Sequence, residues 1–594
     1  MPATIASRKV ANPKRRMALV VFAIAAVLVL IVVKLVSIQG MDTAKLAEQA
    51  LDSRLVSKTL PAKRGSILAA DGTVLADNAR RFKLVADPVN VAAYKDENGQ
   101  VVGAWGAANE IATVLNTDPG LIYPKLKEQG EKRWSPIADG LTSEVWVKIR
   151  ELKIPGITVE ESSVRTYPAG EVAGNIVGFV GSDGEALTGV ERQYRHLLTG
   201  KDGKEQYERG LSGDPIPLGS NSQVPPVDGT GLQLTIDTNI QMYAQNAIGE
   251  AVRKHKAEWG SVVIQEAGTG RILAAAESPT VDPNNPGKSK AEDRGSRTFT
   301  SNFEPGSTAK LITTSALIDT GKATADSQYV VPDKWKAPNG EVFRDSHNHA
   351  DQNLTLAGIL MDSSNTGTLI AAEGLNNQER YEWLKKFGFG TPPELEFPGT
   401  SRGILRHPKS WDGRTEQTVL FGQGVAATAL QTTQGFSIIA DDGVAHPQRI
   451  VNGTVDPTGK VTEIPFKDGT QVVKPQTAQS MREILEAVVE DGTGGNAKVP
   501  GYRVGGKTGT AQAPSDKGGG YDGYTASFIG IAPIDDPKIT VSVTLQRPRK
   551  GHYGGAVAAP VFSDVTGYAL KQMRVPPSGP VPELPAREWK NEDR

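Results

Sequence analysis

The chain contains no cysteine among its 594 residues. Disulfide bonds, a catalytic thiolate and cysteine metal ligands are therefore all excluded. The formal net charge is only −1 at neutral pH, so there is no electrostatic reason to expect a nucleic acid as partner. The sequence also shows no internal repeat and no long block of one charge.

A metal site is not predicted either. His347 and His349 lie close together in sequence, but no His-Glu-x-x-His string and no third ligand cluster accompanies them. We therefore expect hydrogen bonds within a loop from these two imidazoles. The sequence implies neither a metal ion nor an organic cofactor.

What the chain does have is length and an ordinary globular composition. At 594 residues it is too long for one hydrophobic core, so two or more domains are expected. Hydrophobic residues make up 38% and charged residues 22%, as in folded proteins generally.

The N-terminus predicts a membrane anchor. Residues 1–16 carry several basic residues and no acidic one, and residues 17–33 are uninterrupted apolar sequence. Continued to residue 38, a helix of roughly 33 Å results, which is long enough to cross a bilayer. A cleaved signal peptide is the alternative, but the apolar stretch is long for one and no small-x-small cleavage site follows it. Because positive charges stay inside, we expect a cytoplasmic tail over 1–16, a transmembrane helix over 17–38 and an extracytoplasmic remainder.

Residues 39–220 predict a separate module of mixed helices and strands. Asp71 and Gly72 supply the turn of a hairpin over 67–75, and amphipathic stretches over 107–115 and 143–152 are expected to be helical. A stretch over 211–231, rich in glycine, proline and serine, predicts a linker to the next domain.

The remainder predicts a mixed α/β (α+β) domain over 221–570 with an antiparallel sheet. Apolar residues alternate over 232–236 and 539–545, and strands are also expected over 261–264 and 271–276. Two strands before a largely helical middle and three after it, counting the segment of Lys507, predict a sheet assembled from both ends of the domain. Residues 571–594 are rich in proline and predict a flexible tail.

Three short motifs, in this order, indicate the chemistry: Ser-Thr-Ala-Lys at 307–310, Ser-Ser-Asn at 363–365 and Lys-Thr-Gly at 507–509. Each alone has an ordinary structural explanation as a helix cap, a solvated charge or a turn. Their conjunction favours a serine acyl-transfer site. Pro305 and Gly306 end an extended approach, so Ser307 is expected in the first turn of a helix with Lys310 on the same face.

A serine hydroxyl needs a base, and an ordinary lysine is protonated at neutral pH. Burial and a second cation both lower the pKa of a lysine, and Lys507 is the second cation if the fold brings it alongside. We therefore expect Lys310 to be the general base for acylation, acting directly or through Ser363.

The trio resembles the motif set of the penicillin-binding proteins and serine β-lactamases. The strings Phe-Glu-Pro-Gly at 303–306, Phe-Gly-Phe-Gly at 387–390 and Phe-Gly-Gln-Gly at 421–424 are similar to those of class B penicillin-binding proteins. The glycines around Arg64, Arg165 and Glu191 resemble the pedestal, or dimerisation, domain of that class. The resemblance implies a transpeptidase domain behind a pedestal domain and one transmembrane helix.

The resemblance also implies roles for the site residues. Ser363 would relay a proton to the leaving amine, and Asn365 would hydrogen-bond a substrate amide. Lys507, Thr508 and Thr510 would hold the terminal carboxylate of a peptide donor. The backbone N–H groups of Ser307 and Thr510 would form the oxyanion hole, and Gly509 would let the substrate strand approach closely.

The activity implied is peptidoglycan D,D-transpeptidation, with stem peptides as substrates, β-lactams as inhibitors and the cytoplasmic membrane as anchor. A lipid-linked glycan polymerase and other division proteins are the expected partners. The chain looks most like the division-specific septal enzyme. An elongation-specific homologue, a β-lactamase or β-lactam sensor, and a non-catalytic division scaffold are the alternatives. Two departures from the family pattern, Ala-Ala at 69–70 and Pro-Gly-Thr at 398–400, bear on the subfamily and not on the chemistry.

Overall fold

The computed structural model describes residues 12–41, 55–127, 130, 132–208, 216, 221–515 and 518–590. Its first element is helix α1, Pro13–Val36, which Asn12 caps by accepting a hydrogen bond from the backbone N–H of Lys14. A π-helical turn, Ser37–Met41, follows. None of the α1 side chains is buried, and α1 is the one helix in the described residues that is long and apolar enough to cross a membrane.

In the part of the N-terminal half that the structure describes there are eight strands and seven further α-helices. Strands β1 to β8 are Leu55–Leu60, Ile67–Leu68, Val74–Ala86, Ser135–Leu141, Ile157–Thr166, Gly203–Glu208, Asn221–Val224 and Gly231–Leu234. Helices α2 to α8 are Pro88–Val91, Gly103–Leu115, Pro119–Leu126, Ser143–Glu151, Gly174–Val177, Gly189–Gln193 and Arg195–Leu198. The predicted hairpin is confirmed, since β2 pairs antiparallel with β3 and the Thr73 N–H donates to the Asp71 carboxylate. The two predicted helices are confirmed as α3 and α5.

The C-terminal half contains thirteen strands and eleven helices within the described residues. Strands β9 to β21 are Trp259–Glu266, Ile272–Ser278, Gln328–Val331, Lys334–Lys336, Val342–Arg344, Gln352–Thr355, Val444–Ala445, Val451–Val455, Val461–Glu463, Thr470–Gln471, Gly505–Pro514, Tyr521–Ala532 and Ile539–Gln546. Helices α9 to α19 are Thr238–His255, Arg297–Thr300, Lys310–Asp319, Leu356–Met361, Asn365–Ala371, Asn377–Lys386, Thr415–Thr418, Ala429–Ala440, Pro475–Asp491, Gly554–Val557 and Ala559–Gln572.

A five-stranded antiparallel sheet forms the centre of this half, in the order β10-β9-β21-β20-β19. Two of its strands come from before the helical middle and three from after it, as the sequence predicts. Phe528 and Val543 pack on one face with apolar residues of α9 and α19. Ile529 and Ile531 pack on the other face with residues of α11, α12, α16 and α17. Strand β19, which carries the Lys-Thr-Gly motif, therefore lies at the edge of a sheet that is covered by helices on both faces.

The chain divides into two compact units. The smaller unit comprises residues 1–62 and 201–227 and includes the three-stranded sheet β1-β6-β7. The larger comprises residues 63–200 and 228–594. Of the predicted linker, residues 211–215 and 217–220 lie outside the described residues, whereas 221–224 form strand β7, which pairs with β6.

A second sheet joins both halves of the larger unit. Its strands run in the order β17-β16-β8-β2-β3-β4, with β5 also paired to β3. Strand β2 pairs in parallel with β8, so the sheet continues across the boundary that the sequence predicts near residue 220. A buried ion cluster joins three glycine-rich segments of the N-terminal half. Arg64 and Arg165 donate to the Glu191 carboxylate at 2.6 and 2.7 Å, respectively. Because both oxygens of this buried carboxylate are paired, the cluster fixes β5 and α7 to the approach to β2.

The C-terminal residues differ from the flexible tail that their composition predicts. Helix α19 ends at Gln572, and the chain continues without regular structure. Glu588 forms an antiparallel bridge with Leu354, and the Trp589 indole donates to the Tyr329 carbonyl at 3.1 Å. The last described residues are therefore held against the C-terminal half of the fold.

Candidate active site

Ser307 lies in a short 3₁₀ turn, Gly306–Ala309, that leads directly into α11. One backbone hydrogen bond and two buried side chains hold this turn in place. The Gly306 N–H donates to the Gly422 carbonyl at 3.0 Å, and Ala309 and Ile312 are buried. Ser307 itself is half-buried, and within the described residues its hydroxyl makes no hydrogen bond. The predicted placement at the start of a helix is confirmed, and the hydroxyl remains available to another group.

Lys310 is completely buried one turn further on. Its Nζ donates to the backbone carbonyl of Ser363 at 2.5 Å, which brings the first motif into contact with the second. Burial lowers the pKa of Lys310 to about 7, and the carboxylate of Asp345 partly opposes this shift. A substantial fraction of this amine is therefore neutral at physiological pH and able to accept a proton.

Ser363 occupies the turn between α12 and α13. Its backbone φ is +60°, in the left-handed region that residues other than glycine seldom adopt. The side chain is half-buried and lines a cavity of about 270 Å³ together with Asp345, His349, Asp362 and Thr493. The left-handed conformation thus turns the chain sharply at the point where the Ser363 carbonyl meets Lys310.

Asp345, which sequence reasoning missed, anchors the second motif. Its carboxylate accepts hydrogen bonds from the Ser364 hydroxyl at 2.6 Å, the Asn365 N–H at 2.5 Å and both the N–H and the hydroxyl of Thr366 at 3.1 Å. These donors include the free N–H groups at the start of α13, where a negative charge is favoured. Asp345 is isolated in the sequence, next to no recognisable motif, so only the fold reveals its contacts.

The two histidines of the same loop make hydrogen bonds, as the sequence predicts. His349 contacts the Asp345 carboxylate through Nε2 at 3.2 Å and the Ala350 carbonyl through Nδ1 at 2.7 Å. His347 contacts the Ser346 hydroxyl at 3.0 Å. His349 therefore adds a further donor to the carboxylate that holds the second motif.

Lys507 is also completely buried, on strand β19. Its Nζ donates to the Thr508 hydroxyl at 3.2 Å, and this hydroxyl donates to the Thr493 hydroxyl at 3.3 Å. Burial and the neighbouring Lys310 ammonium hold the pKa of Lys507 well below its ordinary value, while Asp362 acts in the opposite direction.

The expected electrostatic repulsion between the two lysines is therefore present. Burial is the main cause of the lowered pKa at both amines, and the repulsion between them acts in the same direction. Because the charge of Lys310 affects the pKa of Lys507, the two amines titrate as a coupled pair.

The rest of the third motif lies beside the nucleophile. The Thr510 hydroxyl accepts a hydrogen bond from the Gly554 N–H at 3.0 Å, so its own hydrogen is left for another acceptor. A side chain at Gly509 would meet the Ser527 hydroxyl at 2.3 Å and the Pro305 carbonyl at 2.9 Å. A glycine is therefore required here by packing against the Ser307 turn, and the close approach of a substrate strand at Gly509 stays a prediction.

Asn365 begins α13, and its side-chain amide donates to the Arg344 carbonyl at 3.3 Å. Taken together, the structure joins Lys310 to Ser363, Lys507 to Thr508 and Gly509 to the turn that carries Ser307. The half-buried Ser307 hydroxyl thus lies in the turn that precedes the buried Lys310 and packs against the strand of the buried Lys507, and both amines have lowered pKa values. Such an arrangement suits nucleophilic attack on a carbonyl and transfer of the resulting acyl group.

Two family models match the chain. The model described as penicillin binding protein transpeptidase domain matches residues 260–567, and the model of the penicillin-binding protein dimerisation domain matches residues 59–234. The chain is 34% identical over 582 residues to penicillin-binding protein PbpB of Mycolicibacterium smegmatis, covering 93% of this chain and 90% of that protein. It is 31% identical over 518 residues to peptidoglycan D,D-transpeptidase FtsI of Escherichia coli, covering 86% and 84% respectively.

A solved structure agrees with these relatives. Penicillin binding protein 3 of Mycobacterium tuberculosis, crystallised in complex with aztreonam, superposes with a TM-score of 0.69 at 29% identity. The match covers 89% of this chain and 100% of that structure. Both halves of the fold are therefore shared.

Replacement of Asp345 by asparagine tests its anchoring role. Asp345→Asn removes the charge that the donors of α13 and the Ser364 hydroxyl share, so we expect the free energy of unfolding to fall by about 1.5–3 kcal/mol. Urea unfolding of the full chain in detergent measures this difference. The exposed Asp351, changed to asparagine, is the matched control and should leave stability within about 0.5 kcal/mol of the unmodified protein. Equal stability of the two variants would contradict the anchoring role.

Proposed function

Because this chain belongs to the class B penicillin-binding proteins, we propose that it is a serine-type peptidoglycan D,D-transpeptidase of septal wall synthesis. The observation that carries the proposal is the position of Lys310, buried with a lowered pKa between the Ser307 turn and Ser363. The proposed substrates are the stem peptides of peptidoglycan.

In the proposed reaction, Ser307 Oγ attacks the penultimate D-alanine carbonyl of a donor stem peptide. The hydroxyl loses its proton, the peptide bond to the terminal D-alanine breaks, and that D-alanine departs as a free amine after gaining a proton. An amine on a neighbouring strand then attacks the ester, and Ser307 regains its proton. The products are a cross-link and the free enzyme, so no oxidant, metal or cofactor enters the balance.

Lys310 is the proposed base for the first step. Its amine accepts the hydroxyl proton directly or through Ser363, and the contact of its Nζ with the Ser363 carbonyl places the amine beside the Ser363 turn. In either case Ser363 returns a proton to the leaving amine. Asn365, two positions further along the same turn, is the proposed hydrogen-bonding partner of a substrate amide.

Lys507, Thr508 and Thr510 are the proposed site for the donor carboxylate. A carboxylate favours the charged form of Lys507, which opposes the effect of burial on the pKa of that amine. Substrate binding and proton uptake by Lys507 would therefore be linked. The N–H groups of Ser307 and Thr510 are the proposed oxyanion hole, since Ser307 begins a helical turn and Thr510 lies on the adjacent strand.

The exposed apolar helix α1 supports a membrane anchor. We propose that the N-terminal tail lies in the cytoplasm and the two domains outside it, because residues 1–16 carry five basic residues and no acidic one. A lipid-linked glycan polymerase and other division proteins are the proposed partners. β-Lactams are the proposed covalent inhibitors, acylating Ser307.

Labelling with a fluorescent penicillin separates this proposal from its rivals. A transpeptidase should form a stable adduct, a β-lactamase should turn the label over rapidly, and a non-catalytic scaffold should form none. Ser307→Ala should lose the adduct completely, and the matched control Ser301→Ala should keep it. Release of D-alanine from peptidoglycan precursors, measured with the same proteins, should follow the same pattern. A labelled Ser307→Ala protein would contradict the assignment of the nucleophile.

The pH dependence of acylation tests Lys310 as the base. Since the neutral amine is the reactive form, the second-order rate of acylation should rise about tenfold per pH unit below 7 and level off above about 7. A lysine with an ordinary pKa would give a rate that still rises near pH 10. Lys310→Arg keeps the charge but not the ability to deprotonate, so it should lose the plateau, whereas the exposed Lys460→Ala should not change the profile. A Lys310→Ala protein that acylates at the unmodified rate would exclude the role.

Depletion of the protein in growing cells tests the septal role against the elongation-specific alternative. Loss of septal synthesis should give filaments, because the side wall still grows while division stops. Loss of side-wall synthesis should instead give rounded cells. Cell shape after depletion, compared with cells that express the Ser307→Ala protein alone, measures which of the two activities is lost, and rounding would contradict the septal assignment.

A further inference from the structure

Residues 575–590, which we call the C-terminal strap, end on one edge of a small sheet in the catalytic half, where residues 586–589 make the contacts. Strand β14 pairs with β11 on one side, and on the other side the strap completes its hydrogen bonds. The Thr355 N–H donates to the Arg587 carbonyl at 3.1 Å, and the Trp589 N–H donates to the Asn353 carbonyl at 3.2 Å. The strap therefore behaves as an additional strand added to the edge of β14.

The strap also packs directly on helix α12, which follows β14. Thr355, the N-cap of α12, donates its hydroxyl to the Ala586 carbonyl at 2.5 Å. A side chain at Gly358 would lie only 2.0 Å from the Arg587 carbonyl oxygen, so a glycine is required at this point of contact. The start of α12 is thus fixed to the backbone of the strap.

The end of α12 is fixed to the strap by a side chain. The guanidinium of Arg587 pairs with the carboxylate of Asp362 at 2.6 Å, and the Asp362 side chain is only 14% exposed. Asp362 immediately precedes Ser363. On the opposite side, the Met361 carbonyl accepts a hydrogen bond from the Thr493 N–H at 3.1 Å. The turn that leads into Ser363 is therefore held between the strap and the loop that follows α17.

These two restraints on the turn keep Ser363 in its left-handed backbone conformation. A residue other than glycine in the left-handed region costs roughly 1 kcal/mol or more, and it persists only where the surroundings enforce it. Ser363 is such a residue, and its carbonyl is the acceptor for Lys310. If the ion pair were lost, Asp362 would be a partly buried carboxylate without its cation, and the turn would be free to relax.

We propose that Arg587 is a positioning residue of the active site, and that the C-terminal strap, through the Arg587–Asp362 ion pair, sets the geometry of the Ser363 turn. The inference rests on the proposed acyl transfer at Ser307. It extends the working catalytic domain to the end of the described chain, beyond the last regular helix, α19.

The test compares acylation kinetics of full-length variants, with a chromogenic β-lactam as probe. Arg587→Ala should lower the acylation rate constant about tenfold while leaving the dissociation constant of the initial complex within about twofold, because Ser363 takes part in proton transfer and not in holding the carboxylate. Arg587→Lys keeps a cation and should recover most of the rate. Lys590→Ala, an exposed neighbour on the strap, is the matched control and should behave as the unmodified protein.

A merely structural role predicts a different pattern. If the strap only stabilised the fold, the thermal midpoint would fall and the rate constant of the folded protein would not. The pairing is tested further by Asp362→Asn, whose loss of rate should be less than additive with that of Arg587→Ala, because both changes break the same ion pair. An unchanged rate in Arg587→Ala, or fully additive losses, would overturn the inference. Failure of the unmodified protein to be acylated would instead overturn the proposed function, on which the inference rests.

Discussion

The burial of two lysine amines in the same site is the physical constraint on which the rest of the site depends. Lys310 and Lys507 are both fully buried, and each is less stable as an ammonium there than in solvent. Burial lowers the pKa of Lys310 to about 7, as the proposed role of this amine as a base requires. Both amines nevertheless keep oxygen partners, the Ser363 carbonyl and the Thr508 hydroxyl, so neither is left without a hydrogen-bond acceptor. Burial therefore lowers the pKa of both amines, while each amine keeps a hydrogen-bond partner inside the fold.

The fold meets this constraint with segments that are far apart in sequence. The nucleophile turn precedes α11, the second motif lies between α12 and α13, and the third lies on the edge strand β19. Each segment is held by contacts of its own: the Gly422 carbonyl for the first, Asp345 for the second and antiparallel pairing with strand β20 for the third. Because each anchor lies outside the motif it holds, geometry at Ser307 depends on residues that take no part in the chemistry.

This separation explains what the sequence predicts and what it does not. The motif residues and the five-stranded sheet follow from local patterns, since a helical turn or an alternating strand is visible in a few residues. Asp345 follows from no such pattern, because its partners begin nineteen positions later, at Ser364, and only the packing of β13 against α13 brings them together. The proline-rich strap predicts disorder by composition, yet backbone hydrogen bonds to an edge strand need no side-chain periodicity and leave no signal in the sequence.

Positive and negative side chains alternate around the second motif, and this arrangement affects the protonation of Lys507. Arg587 is paired with Asp362, whose carboxylate in turn favours the charged form of Lys507. On the other side, Asp345 favours the charged form of Lys310. The two carboxylates therefore limit the effect of burial, so that neither amine loses its affinity for a proton entirely. In the proposed reaction, an arriving carboxylate would need to supply only the remaining stabilisation of charged Lys507, and the lowered pKa of Lys310 would let its neutral amine accept the Ser307 proton.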